Sequence, residues 1–156
     1  MSILLALLLL IGSAFASDAA SAQHWTYGKG CGGLKLSWEG EPRLNSVVFA
    51  NLSSPTAFGL GLVTFGWPWP CQKLPACPLD PVCYACIFPV ATRPIRTNRY
   101  GAFQHPIGIP NDPRLIGLCL ALQFWLMNPT GDGCGKPGAI WAVCSSNPGW
   151  MLIQAR

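Results

Sequence analysis

Proline and glycine set the terms for this chain. Its 156 residues include 17 Gly and 15 Pro. Each proline removes a backbone donor and fixes φ, and each glycine loosens the backbone, so a long helix is interrupted before it can propagate. Disorder is excluded from the other side, because 51% of the residues are hydrophobic and only 10% are charged. Short strands joined by frequent turns reconcile the two constraints.

The local patterns agree. Leu34-Lys35-Leu36-Ser37-Trp38-Glu39 alternates apolar and polar residues, which marks a half-buried strand. Further strands are expected over Ser46–Leu52, Ala57–Phe65, Tyr84–Pro89, Tyr100–Ile109 (broken at Pro106), Ala139–Cys144 and Trp150–Ala155. In Ala57–Phe65, Phe58, Leu60, Leu62 and Thr64 share one face. Gly59, Gly61 and Val63 form a thin face that another backbone can approach. Leu115–Met127 is the longest apolar stretch. A helix also fits it, but Pro113 and its β-favouring neighbours point to a central strand with Leu118, Leu120, Leu122, Phe124 and Leu126 on one face. The expected architecture is all-β: one disulfide-stapled antiparallel β-sandwich of about eight short strands. A Cys/Pro-rich loop is expected at 67–99, including a polar connection over Arg93–Arg99.

The chain opens with an apolar run from Ile3 to Ile11 and then small residues at Ala14-Phe15-Ala16 and Ala20-Ser21-Ala22. This is the pattern of a secretory signal peptide over 1–22, forming a signal helix, with cleavage after Ala16 or Ala22. The run is too short to span a bilayer, which takes roughly 20 apolar residues. Cleavage leaves about 134 to 140 residues, the size of one domain over 23–156. A secreted or cell-surface location is expected, with the periplasm as the two-membrane equivalent and no membrane span in the mature chain.

All eight cysteines, Cys31, Cys71, Cys77, Cys83, Cys86, Cys119, Cys134 and Cys144, lie beyond the cleavage sites. In an exported domain an even count reads as up to four disulfides. Cys134 and Cys144 flank Gly135-Lys136-Pro137-Gly138 and a strand, which favours them as a local pair. The rival reading takes Cys83-x-x-Cys86 as half of a zinc site or as a redox motif. A second such pair is missing, and the flanking prolines suit a strand better than a helix start. No metal or cofactor is expected.

Catalytic groups are sparse. Glu39 and Glu41 flank Gly40, but acids two apart around a turn are ordinarily solvated. His105 precedes Pro106 in an apolar segment, and Ser145-Ser146 carries no Gly-x-Ser-x-Gly elbow. Asp112 and Asp132 sit in turns, where they bond their own backbone, and no calcium loop surrounds them. Tyr27–Gly33 is glycine-rich but has no Lys-Ser/Thr, so it is a flexible lead-in and not a phosphate cradle. Asn51-Leu52-Ser53 matches a glycosylation sequon. A net charge of +4 without a dense basic stripe does not indicate nucleic acid.

Two motifs carry a resemblance. One is Tyr27-Gly28-x-Gly30-Cys31-x-Gly33 close after the signal. The other is Ile109-Pro110-Asn111-Asp112-Pro113-x-Leu115-Ile116-Gly117, followed by a strand with Gln123-Phe124. Together they resemble a domain of unknown function found in secreted planctomycete and myxobacterial proteins. Trp67 to Arg99 departs from that pattern with extra cysteines and prolines. The resemblance implies an extracellular β-rich domain and carries no site residue with it.

The expected function is a non-catalytic secreted or cell-surface structural or adhesion module. The alternative is a carbohydrate-binding module using exposed tryptophans, since Trp67, Trp69 and Trp150 lie beside turns and offer large area at little rotamer cost. Arg96, with Arg93 and Arg99, is the accompanying candidate for an anionic glycan or the cell surface, and the module's expected partner is an extracellular glycan or protein. A small secreted hydrolase served by His105 is the third reading.

Overall fold

The computed structural model describes residues 23–28, 30–73, 84–128 and 142–155. Nine strands form among them: β1 (Gln23–Thr26), β2 (Lys35–Glu39), β3 (Ser46–Ser53), β4 (Leu60–Lys73), β5 (Tyr84–Arg96), β6 (Ala102–Ile109), β7 (Cys119–Asn128), β8 (Ala142–Ser145) and β9 (Gly149–Leu152). The larger sheet runs β1-β9-β7-β4-β5, with β8 also paired to β7, and the smaller runs β2-β3-β6. Every strand pair is antiparallel. The protein is all-β, a sandwich of two antiparallel sheets.

The core lies between the sheets. Leu36, Ala50 and Leu52 of the smaller sheet pack with Val63, Leu122, Phe124, Leu126 and Ile95 of the larger. A second cluster gathers Leu44, Val48, Ile109, Met151 and Ile153, with Leu118 and Leu120 against it; Trp38 and Ile107 touch both clusters. The even-numbered apolar residues of β7 therefore face the core, as alternation predicts. The strand begins at Cys119, and Pro113–Leu115 forms a 3-10 turn capped by the Asp112 carboxylate. The thin glycine face of β4 is the core face. At Gly61 the β7 carbonyl of Trp125 and the Leu126 side chain occupy the space a Cβ would take.

The stretch 67–99 is mostly strand and not loop. β4 continues to Lys73 and β5 runs from Tyr84 through Arg96, which absorbs half of the polar connection. Proline is tolerated here because it sits at edges. Pairing of β4 with β7 ends at Gly66↔Ala121, two residues before Pro68 could interrupt it, and β5 is an outer strand. Pro106 likewise lies on β6, the outer strand of the smaller sheet.

Two register shifts, at Phe65/Gly66 and Pro68/Gln72, bend the β4–β5 hairpin. At the first, the Phe88 carbonyl fills the place of a Gly66 Cβ. The bent arm brings the start of β5 to the outer side of β7. There fully buried Gln123 donates from Nε2 to the carbonyls of Tyr84 (2.6 Å) and Ser146 (2.9 Å), and accepts from the Cys86 N–H (3.2 Å).

β8 and β9 occupy one side of β7 in tandem, paired to Trp125–Asn128 and Cys119–Leu122 respectively. They are one strand interrupted at Ser146-Asn147-Pro148. Ser146 bridges the gap, its N–H donating to the Phe124 carbonyl (2.8 Å) and its Oγ accepting from the Phe124 N–H (3.0 Å).

The lead-in segment is anchored rather than free. β1, which the sequence reading did not anticipate, pairs with β9, and Cys31 is fully buried with its N–H on the Ser145 carbonyl (2.8 Å). Cys31 stands in a disulfide, and a second one joins Cys71 to Cys86 across the hairpin. Bonding to Cys71 takes Cys86 out of the Cys83-x-x-Cys86 pairing. Cys119 is a free thiol, so the bridges do not take in all eight cysteines. The signal segment 1–22, Cys77, Cys83 and Cys134, and with it the favoured Cys134–Cys144 pair, lie outside the described residues.

Candidate functional site

The bent hairpin arm creates an aromatic slot on the outer side of the larger sheet. Trp150 of β9 sits opposite Trp25 in the β1–β9 ladder, and their rings meet edge to face at 6.0 Å. Tyr27, just past β1, stacks on Trp150, with ring centroids 6.3 Å apart and planes 6° from parallel. The arm carries Trp69 to the same place. Pro68, Trp69, Pro70 and Cys71 line a groove of about 400 Å³ together with Tyr27 and Trp150. Trp69 is braced from behind by Phe88 at 5.4 Å. A neighbouring hollow of about 520 Å³ runs from Tyr27 past Tyr84 to the Cys71–Cys86 bridge.

All three nominated tryptophans lie within strands, not beside turns. Trp69 and Trp150 share the slot. Trp67 is exposed on β4 opposite Phe88 in register but does not line the slot. Arg96 belongs elsewhere, opposite Leu60 at the other end of the β4–β5 ladder.

Arg96 lines a groove of about 1150 Å³, where the outer face of the smaller sheet meets two turns. Its guanidinium lies 5.6 Å from the Phe58 ring centre, and that of Arg99 lies 4.6 Å from Tyr100. Ser37, Asn51 and Gln104 contribute hydroxyl and amide groups from three adjacent strands. Phe58, Tyr100 and Gln104 were not read from the sequence as site residues, and Asn51 was read only as part of a glycosylation sequon. The signal was available for Tyr100, an aromatic at an Asn98-x-x-Gly101 turn beside arginine, by the same criterion applied to the tryptophans.

The remaining candidates are engaged structurally. His105 on β6 packs between Phe65 (5.1 Å) and Phe103 (6.3 Å), and partial burial, then the charge of Arg93, lowers its pKa. Glu41 pairs with Arg43 at 2.8 Å, while Glu39 accepts from Asn51 and Gln104. The Ser145 and Ser146 hydroxyls are buried and donate to the carbonyls of Tyr84 and Asn147. Asp112 holds Arg114 through both carboxylate oxygens, which keeps its carboxyl below the usual range. Asp132 lies outside the described residues. Burial pushes the Cys119 thiol up, away from the reactive thiolate. Among the described residues no group of three or more His, Cys, Asp or Glu side chains is placed to hold a metal ion. No helix among them is long and apolar enough to cross a membrane.

Comparison of the chain with known protein families, with curated proteins and with solved structures gave no match.

Proposed function

We propose that the protein is an exported, non-catalytic adhesion module that holds a neutral saccharide in the slot between Trp69 and the Tyr27–Trp150 stack. The observation that carries the reading is the convergence of these three rings from three separate parts of the chain on one groove of about 400 Å³. Sugar rings present C–H faces that pack on aromatic π-surfaces, and Tyr27, Trp69 and Trp150 line one groove that offers such surfaces. Export fits the disulfide chemistry of Cys31, Cys71 and Cys86, which requires an oxidising compartment.

A glycan array probed with the purified protein tests the reading. Trp69→Ala is expected to weaken binding to the retained neutral glycan by about tenfold, equivalent to roughly 1.4 kcal/mol. Near-UV circular dichroism checks that the fold persists. Binding unchanged by Trp69→Ala, or no neutral glycan retained at all, overturns it.

A further inference from the structure

We propose a second, separate binding site in the groove of Arg96 and Arg99, with an acidic saccharide as its ligand. The site is built from two turns locked to each other. Buried Thr97 accepts the Gly59 N–H (2.7 Å) and donates to the Thr56 carbonyl (3.1 Å), while the Phe58 N–H bonds the Asn98 carbonyl (3.0 Å). The Asn98 side chain in turn accepts from the N–H groups of Tyr100 (2.9 Å) and Ala102 (3.0 Å). At Gly101, φ is +73° and the Ser54 carbonyl fills the place of a Cβ, so only glycine closes this turn.

The lock holds Phe58 at a φ of 53°, a left-handed conformation that costs a bulky residue free energy. The result is that two aromatic rings stand out from the surface, Phe58 at 55% and Tyr100 at 73% exposure. Each ring carries an arginine: Arg96 on Phe58 and Arg99 on Tyr100. Ring stacking fixes the plane of a guanidinium and leaves its N–H fork open.

Charge defines the ligand. Among the described residues Arg96 and Arg99 form no ion pair, whereas Glu41 and Asp112 are each occupied by a neighbouring arginine. Glu39 adjoins the floor without lining the groove, and there it orders Asn51 and Gln104, which are also bonded to each other at 3.0 Å. A guanidinium fork matches a carboxylate or sulfate bidentately. The amide and hydroxyl floor matches sugar hydroxyls, and two guanidiniums are too few for the extended basic stripe that a nucleic acid engages. The shared chemistry is a sugar ring bearing an anionic group.

The test is calorimetric titration of the full secreted chain with a uronate oligosaccharide, a sulfated oligosaccharide, a neutral oligosaccharide of equal length and single-stranded DNA. Binding to the uronate or the sulfated oligosaccharide supports the site, and which of the two binds identifies the source of the charge. The affinity is expected to fall with added salt. It is also expected to fall about tenfold or more in the Arg96→Gln/Arg99→Gln double variant. Tyr100→Ala is expected to weaken it as well, whereas Trp69→Ala leaves it unchanged. The last variant separates this site from the aromatic slot. Failure of both acidic sugars to bind, equal binding of DNA, or an affinity unchanged in the double variant overturns the proposal.

Discussion

The side-chain amide of Asn147 pairs with both backbone groups of Leu36, accepting its N–H at 2.7 Å and donating to its carbonyl at 3.4 Å. Leu36 belongs to β2, an outer strand of the smaller sheet; Asn147 sits in the interruption of the larger sheet's β8–β9 strand. An outer strand leaves alternate backbone groups unpaired, and burying them without partners is costly. The break between β8 and β9 therefore has a structural use: it frees Asn147 from one sheet to complete the edge of the other.

Asn147→Ala is expected to destabilise the fold by about 1–3 kcal/mol, the cost of leaving a buried Leu36 N–H unsatisfied. Urea unfolding should show a lower midpoint with an unchanged slope, and the Leu36 amide should exchange its hydrogen faster.

Gln123 does for the hairpin arm what Asn147 does for β2. Gln123→Leu keeps the volume but orphans the Cys86 N–H and the carbonyls of Tyr84 and Ser146. A loss of about 2–4 kcal/mol is expected, since each unsatisfied buried group costs roughly 1–3 kcal/mol and part of the arm can relax into solvent. Hydrogen exchange localised to the start of β5 is the discriminating measurement; a uniform loss across both sheets would place the role of Gln123 elsewhere.

The strands were legible where their logic is local. Leu34–Glu39 shows its alternation openly, and the even-numbered face of β7 follows from the same period. The prolines of β4 and β5 misled because tolerance of proline depends on whether a strand has a neighbour on that side. That is a property of the sheet, invisible in Trp67-Pro68-Trp69-Pro70 alone. β1 escaped notice because its four residues are largely exposed and owe their strand to β9, more than a hundred residues away. Residue type nominated Trp69 and Trp150, but the slot that joins them depends on two bulges that no spacing announces. Phe58 gave no signal, since its exposure follows from turns that only meet in the folded chain.

The Cys71–Cys86 bridge closes the arm that carries Trp69. For a 15-residue separation the loss of unfolded-chain freedom is worth about 3 kcal/mol. Cys71→Ser/Cys86→Ser is expected to lower stability by up to about that amount. It should also weaken binding in the slot more than binding in the Arg96 groove, because the groove lies at the far end of the same ladder. Parallel titrations of the two sites in the double variant check this; equal losses would argue against the arm as the slot's support.

His105 makes stability depend on pH. Its folded pKa is depressed below the ordinary 6.5, first by burial between Phe65 and Phe103 and then by Arg93. The unfolded chain thus binds the proton more readily, and linkage gives stability that rises with pH in the window between the two values. The native state should hold its full stability above about pH 6.5 and lose part of it as pH falls toward the depressed folded value. His105→Gln removes the titrating group while leaving Arg93 in place. Urea midpoints at pH 7.5 and 5.0 should therefore differ less in the variant than in the parent, and the difference between the two proteins isolates His105 from the chain's other titrating groups. An identical pH dependence in both would mean that the ring meets its proton equally well folded and unfolded.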